Sequence, residues 1–218
     1  MPKEAPMLIP YTSPASPFKA ELTIQKSLFI AHLSPVTSME EAADFWKAEQ
    51  KTYRDATHHC FACRIGTGQV QEKSSDDGEP QGTAGHPMLH VLQMRDLTDA
   101  ALVVTRYFGG IKLGAGGLTR AYSNAAALAI NGAPLTMYTP HIEVQLTLPY
   151  DALGAFERYA ADTDMRIEDR AFTDTVTLAL LVPPASWPAY EKDLTNMTAG
   201  RIGIEMGKER YVGLTDNS

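Results

Sequence analysis

The chain has 218 residues, 44% hydrophobic and 21% charged, which suits one large or two modest globular domains and leaves no segment too polar to fold. No run of about 18 apolar residues occurs, which excludes a membrane-spanning helix. Only two cysteines, Cys60 and Cys63, are present, which excludes a disulfide framework and points to a reducing, cytoplasmic setting.

The formal charge of −7 is uneven. Residues 1–136 carry 12 Lys/Arg against 13 Asp/Glu, a net of −1; residues 137–218 carry 7 against 13, a net of −6. Phosphate neutralisation needs clustered cations, so any nucleic-acid surface must be a local patch in the first half.

Met1 to Pro17 has five prolines and no apolar core; it reads as an extended arm and not as a signal peptide. Two alternating runs follow, with Leu22 and Ile24 on one face of the first and Leu28, Ile30 and His32 sharing a face of the second. Ser38 and Glu41 form a capping-box signature for a helix from Met39 to about Lys51. Its buried stripe is Ala42, Phe45 and Trp46, with Glu49 at the edge. His58 to Ile65 reads as a strand. Gly66 to Gly85 has five glycines, one proline and no apolar pattern, so it reads as a long loop. A short helix is expected over His86 to Met94 with Pro87 in its first turn. Ala101 to Phe108 is a strand buried on both faces, and the alanine-rich Leu118 to Ile130 is a helix.

The second half is more regular. Ile142, Val144, Leu146 and Leu148 alternate as a strand, and Asp151 opens a helix carrying Leu153, Phe156 and Ala160. Met165, Ile167 and Ala171 mark a second strand, joined through Thr173-Asp174 to a third with Val176, Leu178, Leu180 and Val182. Ser186 and Pro188 start a helix with Tyr190, Leu194 and Met197. Gly200 ends it, and Ile202, Ile204 and Met206 form a last strand. The order βαββαβ is the ferredoxin-like split pattern. The chain therefore divides into an arm (1–17), an α+β domain (18–136) and a ferredoxin-like domain (137–218).

Three stretches carry candidate chemistry. Cys60 and Cys63, preceded by His58 and His59, have the look of a metal or redox cluster. On a strand, however, they point to opposite faces and lie about 10 Å apart, beyond disulfide reach, and no second cysteine pair completes a soft ligand set. No metal is expected there. The acidic stretch Ser74 to Gly85 holds Asp76, Asp77 and Glu79, which reads either as a solvent loop with an Asp77-Gly78 turn or as a loop that holds a cation such as Mg²⁺. The stretch Arg106 to Arg120 has three cations (Arg106, Lys112, Arg120), no acid and five glycines (Gly109, Gly110, Gly114, Gly116, Gly117) between a strand and a helix start. Helix N-terminal amides bind anions, and glycines admit a phosphate close to the backbone. The stretch lacks the Gly-Lys-Ser/Thr of a P-loop, and it also reads as a turn required only for tight packing.

Three blocks, Asp55 to Ala62, Asp76 to Pro87 and Val104 to Tyr122, resemble those of the YigZ/IMPACT family. Ser27 and Phe29 fit a further element of that family, with Leu28 where a cation is usual, and His86 stands where Lys or Arg is common. The resemblance spans residues 18–132, and the remainder is similar to the C-terminal domain of bacterial members. It implies a ribosomal-protein-S5 domain-2-like domain followed by a ferredoxin-like one, a pair that looks like the last two domains of elongation factor G. Eukaryotic members restrain an amino-acid-starvation kinase through an additional N-terminal domain, so that partner is not carried over.

Two functions follow as expectations. The first is a non-catalytic regulator of translation that needs no cofactor and binds RNA or a ribosome-associated protein, without DNA sequence specificity and away from membranes. Arg106, Gly109, Gly110, Lys112, Gly114, Gly116, Gly117 and Arg120 would make the contact. The second is a Mg-dependent phosphate-handling enzyme that uses Asp76, Asp77 and Glu79 beside a cleft with His58, His59 and His86.

Overall fold

The computed structural model describes residues 8–214. The protein is α+β, with two antiparallel sheets, and separates into two compact units, one ending at Met137 and the other running from Tyr138 to Leu214. Residues 1–7 of the expected arm lie outside the described residues. Further along it, Tyr11–Pro14 is a strand, β1, bridged at Thr12 to Leu97.

The first unit continues with β2 (Phe18–Ile24), β3 (Ser27–Pro35), α1 (Met39–Thr52), β4 (His58–Ile65), β5 (Gln71–Ser75), α2 (Gly85–Met94), β6 (Ala100–Tyr107) and α3 (Gly114–Gly132). Its sheet runs β2-β3-β6-β4-β5 with antiparallel neighbours. One face, with Phe29, Leu33, Cys60, Leu102 and Val104, packs on Met88, Leu92, Tyr122 and Ala126 of α2 and α3. The opposite face, with Phe61, Cys63, Ile65 and Val103, packs on Ala42, Phe45 and Trp46 of α1. Helices cover both faces, which is why β6 reads as a continuous apolar run. Cys60 and Cys63 fall on opposite faces, as alternation requires, and both are buried free thiols.

Ser38 caps α1 by accepting from the Glu41 amide at 3.1 Å, and the Glu41 carboxylate reaches back to the Thr37 amide at 2.7 Å. Glu49 is not at an edge: it is buried, with His32 Nδ1 2.9 Å and Lys19 Nζ 3.7 Å from its carboxylate. Burial pushes this carboxyl up, but His32 and Lys19 together hold it below its ordinary value.

Two further expectations need correction. Residues 66–85 are not all loop, because Gln71–Ser75 is β5, an edge strand paired with β4 from Phe61↔Ser75 to Ile65↔Gln71. Its polar sequence has no alternation, since an edge strand covered by little else leaves both faces wet. In addition, α3 begins four residues before Leu118, so Gly114, Gly116 and Gly117 belong to its first turn.

The strand β7 (Leu135–Leu148) starts at the end of the first unit and runs into the second, which continues with α4 (Tyr150–Ala161), β8 (Arg166–Phe172), β9 (Val176–Val182), α5 (Trp187–Met197) and β10 (Gly203–Leu214), the βαββαβ order read from the sequence. The strands lie as β10-β7-β9-β8. Val144, Leu146 and Leu148 pack with Phe156 of α4 and Leu194 of α5 in a core of their own.

Candidate functional site

The central strand β6 carries Arg106 on the face of Leu102 and Val104. The register sets it opposite Phe29 on β3 and His58 on β4. Its guanidinium is buried, with only 5% of the residue exposed. Nη1 donates to Glu79 Oε1 at 2.6 Å and Nη2 to Ser27 Oγ at 3.3 Å, while Nε has no hydrogen-bond partner among the described residues. The guanidinium lies between two rings, 5.4 Å from the centroid of Phe29 and 5.5 Å from that of Phe108. Tyr122, on α3, meets Phe29 edge to face and donates its hydroxyl to Glu79 Oε1 at 2.7 Å. Burial, with Cys60 and Glu79 adjacent, pushes the Tyr122 phenol far above its ordinary value, so this hydroxyl stays a donor. Glu79 is thus neutralised and hydrogen-bonded at once, the condition for burying a charge at tolerable cost.

The loop that delivers Glu79 is held by its own acids. Asp76 accepts from the amides of Gly82 at 2.7 Å, Ala84 at 3.0 Å and Gly85 at 2.8 Å. Partial burial pushes the Asp76 carboxyl up, but these three donors and the neighbouring His86 hold it below the usual range. Asp77 accepts from the His59 amide at 2.6 Å and, with φ of 44°, turns the chain into Gly78 at 87°. The carbonyl of Asp77 meets His58 Nδ1 at 2.8 Å. A carbonyl only accepts, so Nδ1 carries a proton, and Nε2 faces Glu79 Oε2 at 3.8 Å. Cys60 donates its thiol to the Asp76 carbonyl; burial and the three nearby carboxylates push this thiol far above its ordinary value, which favours the protonated form.

The three carboxylates therefore brace the loop and the hub, and among the described residues no group of three His, Cys, Asp or Glu is placed to hold a metal ion. The three histidines do not gather in a cleft. His58 joins the hub, while His59 turns to the opposite face, with Nε2 2.9 Å from the Tyr53 carbonyl. His86 is exposed at the start of α2.

Above the hub lies the glycine-rich turn. Gln25 and Lys26, at φ of 45° and 64°, close the β2–β3 hairpin in the manner of a type I′ turn. Gly109 packs so tightly on it that a Cβ would sit 2.0 Å from the Lys26 carbonyl. The Gly109 amide donates to Ser27 Oγ at 3.2 Å, and the Phe108 amide to Thr57 Oγ1 at 3.1 Å. Gly110 and Gly114 adopt left-handed φ of 82° and 68°. The first turn of α3 has no acid and no side-chain cap. Phe108 (47%), Ile111 (41%), Lys26, Lys112 and Arg120 are exposed.

The structure thus divides the predicted contact set: Lys112 and Arg120 face solvent, whereas Arg106 is a paired internal cation and does not. Sequence reading alone did not assign Ser27, Phe29, Thr57, Tyr122, Phe108 or Lys26 to the site. One local signal was present for Tyr122, a phenol at core spacing in an alanine-rich helix, which needs a buried partner for its hydroxyl.

A two-unit α+β protein, its first unit organised around the buried Arg106–Glu79 ion pair that two separate sequence blocks supply, is the class that this geometry defines. Residues 25–130 match the Impact N-terminal domain, and residues 146–201 match a domain of unknown function, DUF1949. The chain is 38% identical over 192 residues to the IMPACT family member YvyE of Bacillus subtilis, covering 88% of each. It is 33% identical over 193 residues to the IMPACT family member YigZ of Escherichia coli, covering 88% of this chain and 95% of that one. Protein IMPACT-A of Xenopus tropicalis matches over 101 residues at 39% identity, 43% of this chain and 30% of that protein. A crystal structure of a hypothetical protein aligns with a TM-score of 0.61 at 32% identity, covering 91% of this chain and 97% of that one. The chain belongs to the IMPACT family.

Proposed function

We propose that the protein is a non-catalytic regulator of translation that binds RNA exposed on the translation machinery through the turn from Phe108 to Arg120. In this reading the first unit is an S5 domain-2-like domain and the second a ferredoxin-like one, a pair similar to the last two domains of elongation factor G. The observation that carries the proposal is Gly116. It lies in the first turn of α3 at an ordinary helical φ, and a Cβ there would meet nothing within 4 Å. Alanine would favour the helix by about 1 kcal/mol, so packing gives no reason for glycine, whereas close approach by a phosphate does. Lys26, Lys112 and Arg120 are exposed, and Arg106 to Arg120 contains no acid.

The alternative, a Mg-dependent phosphate-handling enzyme, needs Asp76, Asp77 and Glu79 turned toward a metal and a positioned nucleophile. Asp76 and Asp77 are engaged with backbone amides and Glu79 with Arg106 and Tyr122, which favours binding over catalysis.

The test is the salt dependence of affinity for a single-stranded RNA oligomer. Three phosphate contacts give a slope of log K against log salt of about −2. Replacing Lys26, Lys112 and Arg120 together by alanine should flatten it by about that amount without moving the melting temperature, because all three are exposed. A variant with the parent's slope and affinity would overturn the proposal.

A further inference from the structure

We infer that the outer face of Phe108 is a stacking platform for an unpaired nucleobase, an inference that rests on the RNA reading above. A single exposed phenylalanine ordinarily needs no explanation. This one is unusual in how firmly it is held. Its amide is bonded to Thr57, and the next residue, Gly109, is wedged on the Lys26 backbone and bonded to Ser27. One face of its ring is taken by the Arg106 guanidinium, 5.5 Å from the centroid, and 47% of the residue remains exposed, which leaves the other face for a ligand.

Beneath it the layers continue. Arg106 lies on Phe29, and Phe29 meets the edge of Tyr122, whose hydroxyl returns to the Glu79 that neutralises Arg106. An aromatic ring on such a base loses little freedom when a second ring stacks on it, which is how rigid aromatics favour binding. A buried ion pair is no more stable than the apolar residues that could replace it, so the pair is better explained as the support of an exposed ring than as core filling. The guanidinium draws the electrons of Phe108 inward, so its outer face suits an electron-rich purine.

The surroundings select a base and not an apolar protein segment. Lys26 lies against Gly109, and Lys112 follows four residues after Phe108. Both are exposed, and in this reading they meet the phosphates that flank the stacked nucleotide.

The experiment uses the full chain and a single-stranded RNA oligomer carrying one 2-aminopurine, read by fluorescence quenching and by affinity at several salt concentrations. The native chain should quench the probe. Phe108→Ala should weaken binding about tenfold or more, remove the quench and leave the salt slope unchanged, since no charge is lost. Phe108→Trp should restore both affinity and quench, which a loss of folding in the alanine variant could not mimic. RNA binding with the native salt slope but no effect of Phe108→Ala would overturn the stacking inference alone. An absence of salt-dependent RNA binding by the native chain, including binding only to a ribosomal protein, would overturn both.

Discussion

Replacing Arg106 by alanine should destabilise the fold by about 3–5 kcal/mol, because it leaves the Glu79 carboxylate buried without its cation. The side chains of this pair are 6% and 3% exposed, so water cannot take the missing partner's place. Glu79→Ala should cost a similar amount, stranding the guanidinium between Phe29 and Phe108 and taking the carboxylate acceptor from the Tyr122 hydroxyl. Glu79→Gln should be milder, since its amide oxygen still accepts from Tyr122. The combination Arg106→Met with Glu79→Leu should cost much less than the two single losses added together, because no orphaned charge remains. Urea unfolding of the four variants measures this. An Arg106→Ala protein as stable as the parent would mean that the pair does not hold the site together, and that Arg106 is free to act elsewhere.

Gly109→Ala should be nearly as damaging, for a steric reason. The added methyl would fall 2.0 Å from a backbone carbonyl of the β2–β3 turn, and no side chain can swing aside to admit it. The cost should reach about 3 kcal/mol, the upper part of the range for overpacking. The turn should also lift away from Ser27, releasing Phe108. Gly110→Ala is the control one residue along. It meets no atom within 4 Å, so only its left-handed φ of 82° resists the change, at about 1–2 kcal/mol. Melting curves that rank Gly110→Ala as the worse of the two would contradict the packing described for the turn.

The sequence made the scaffold legible wherever periodicity is local. The alternation of Ile142 to Leu148, the capping pair Ser38 and Glu41, and the apolar run of β6 each report burial by elements adjacent in the fold, and each was read correctly. The edge strand β5 was not, because Gln-Glu-Lys-Ser-Ser has no buried face to leave a pattern. The glycines of α3 were read as a turn, because glycine is the poorest helix former short of proline and nothing local shows that three of them start a helix.

The site was legible in its parts but not in its wiring. The acidic block reads as a solvent loop or a cation-holding loop, and the basic block as an anion contact or a packing turn; neither reading pairs the two. Only the pairing of β6 with β4 and of β4 with β5 brings the loop that carries Glu79 to Arg106, 27 residues away in sequence, and makes one internal pair of the two charges. Strand alternation sets Arg106 on the face of Val104 and Leu102, but nothing local in the sequence names the acid that neutralises it. Lys112 and Arg120 stayed outside because they follow the strand's end, beyond the reach of the sheet.

The most direct measurement of the central claim is where RNA touches the chain. Trypsin cuts after Arg106 and Lys112, so Tyr107–Lys112 is released as a single peptide that contains Phe108 and the turn. Photo-crosslinking of a 4-thiouridine-containing single strand to the native protein, followed by mass spectrometry of the digest, should place the nucleotide adduct on that peptide. Adducts confined to the acidic second unit, Tyr138 to Leu214, with none on Tyr107–Lys112, would contradict the account.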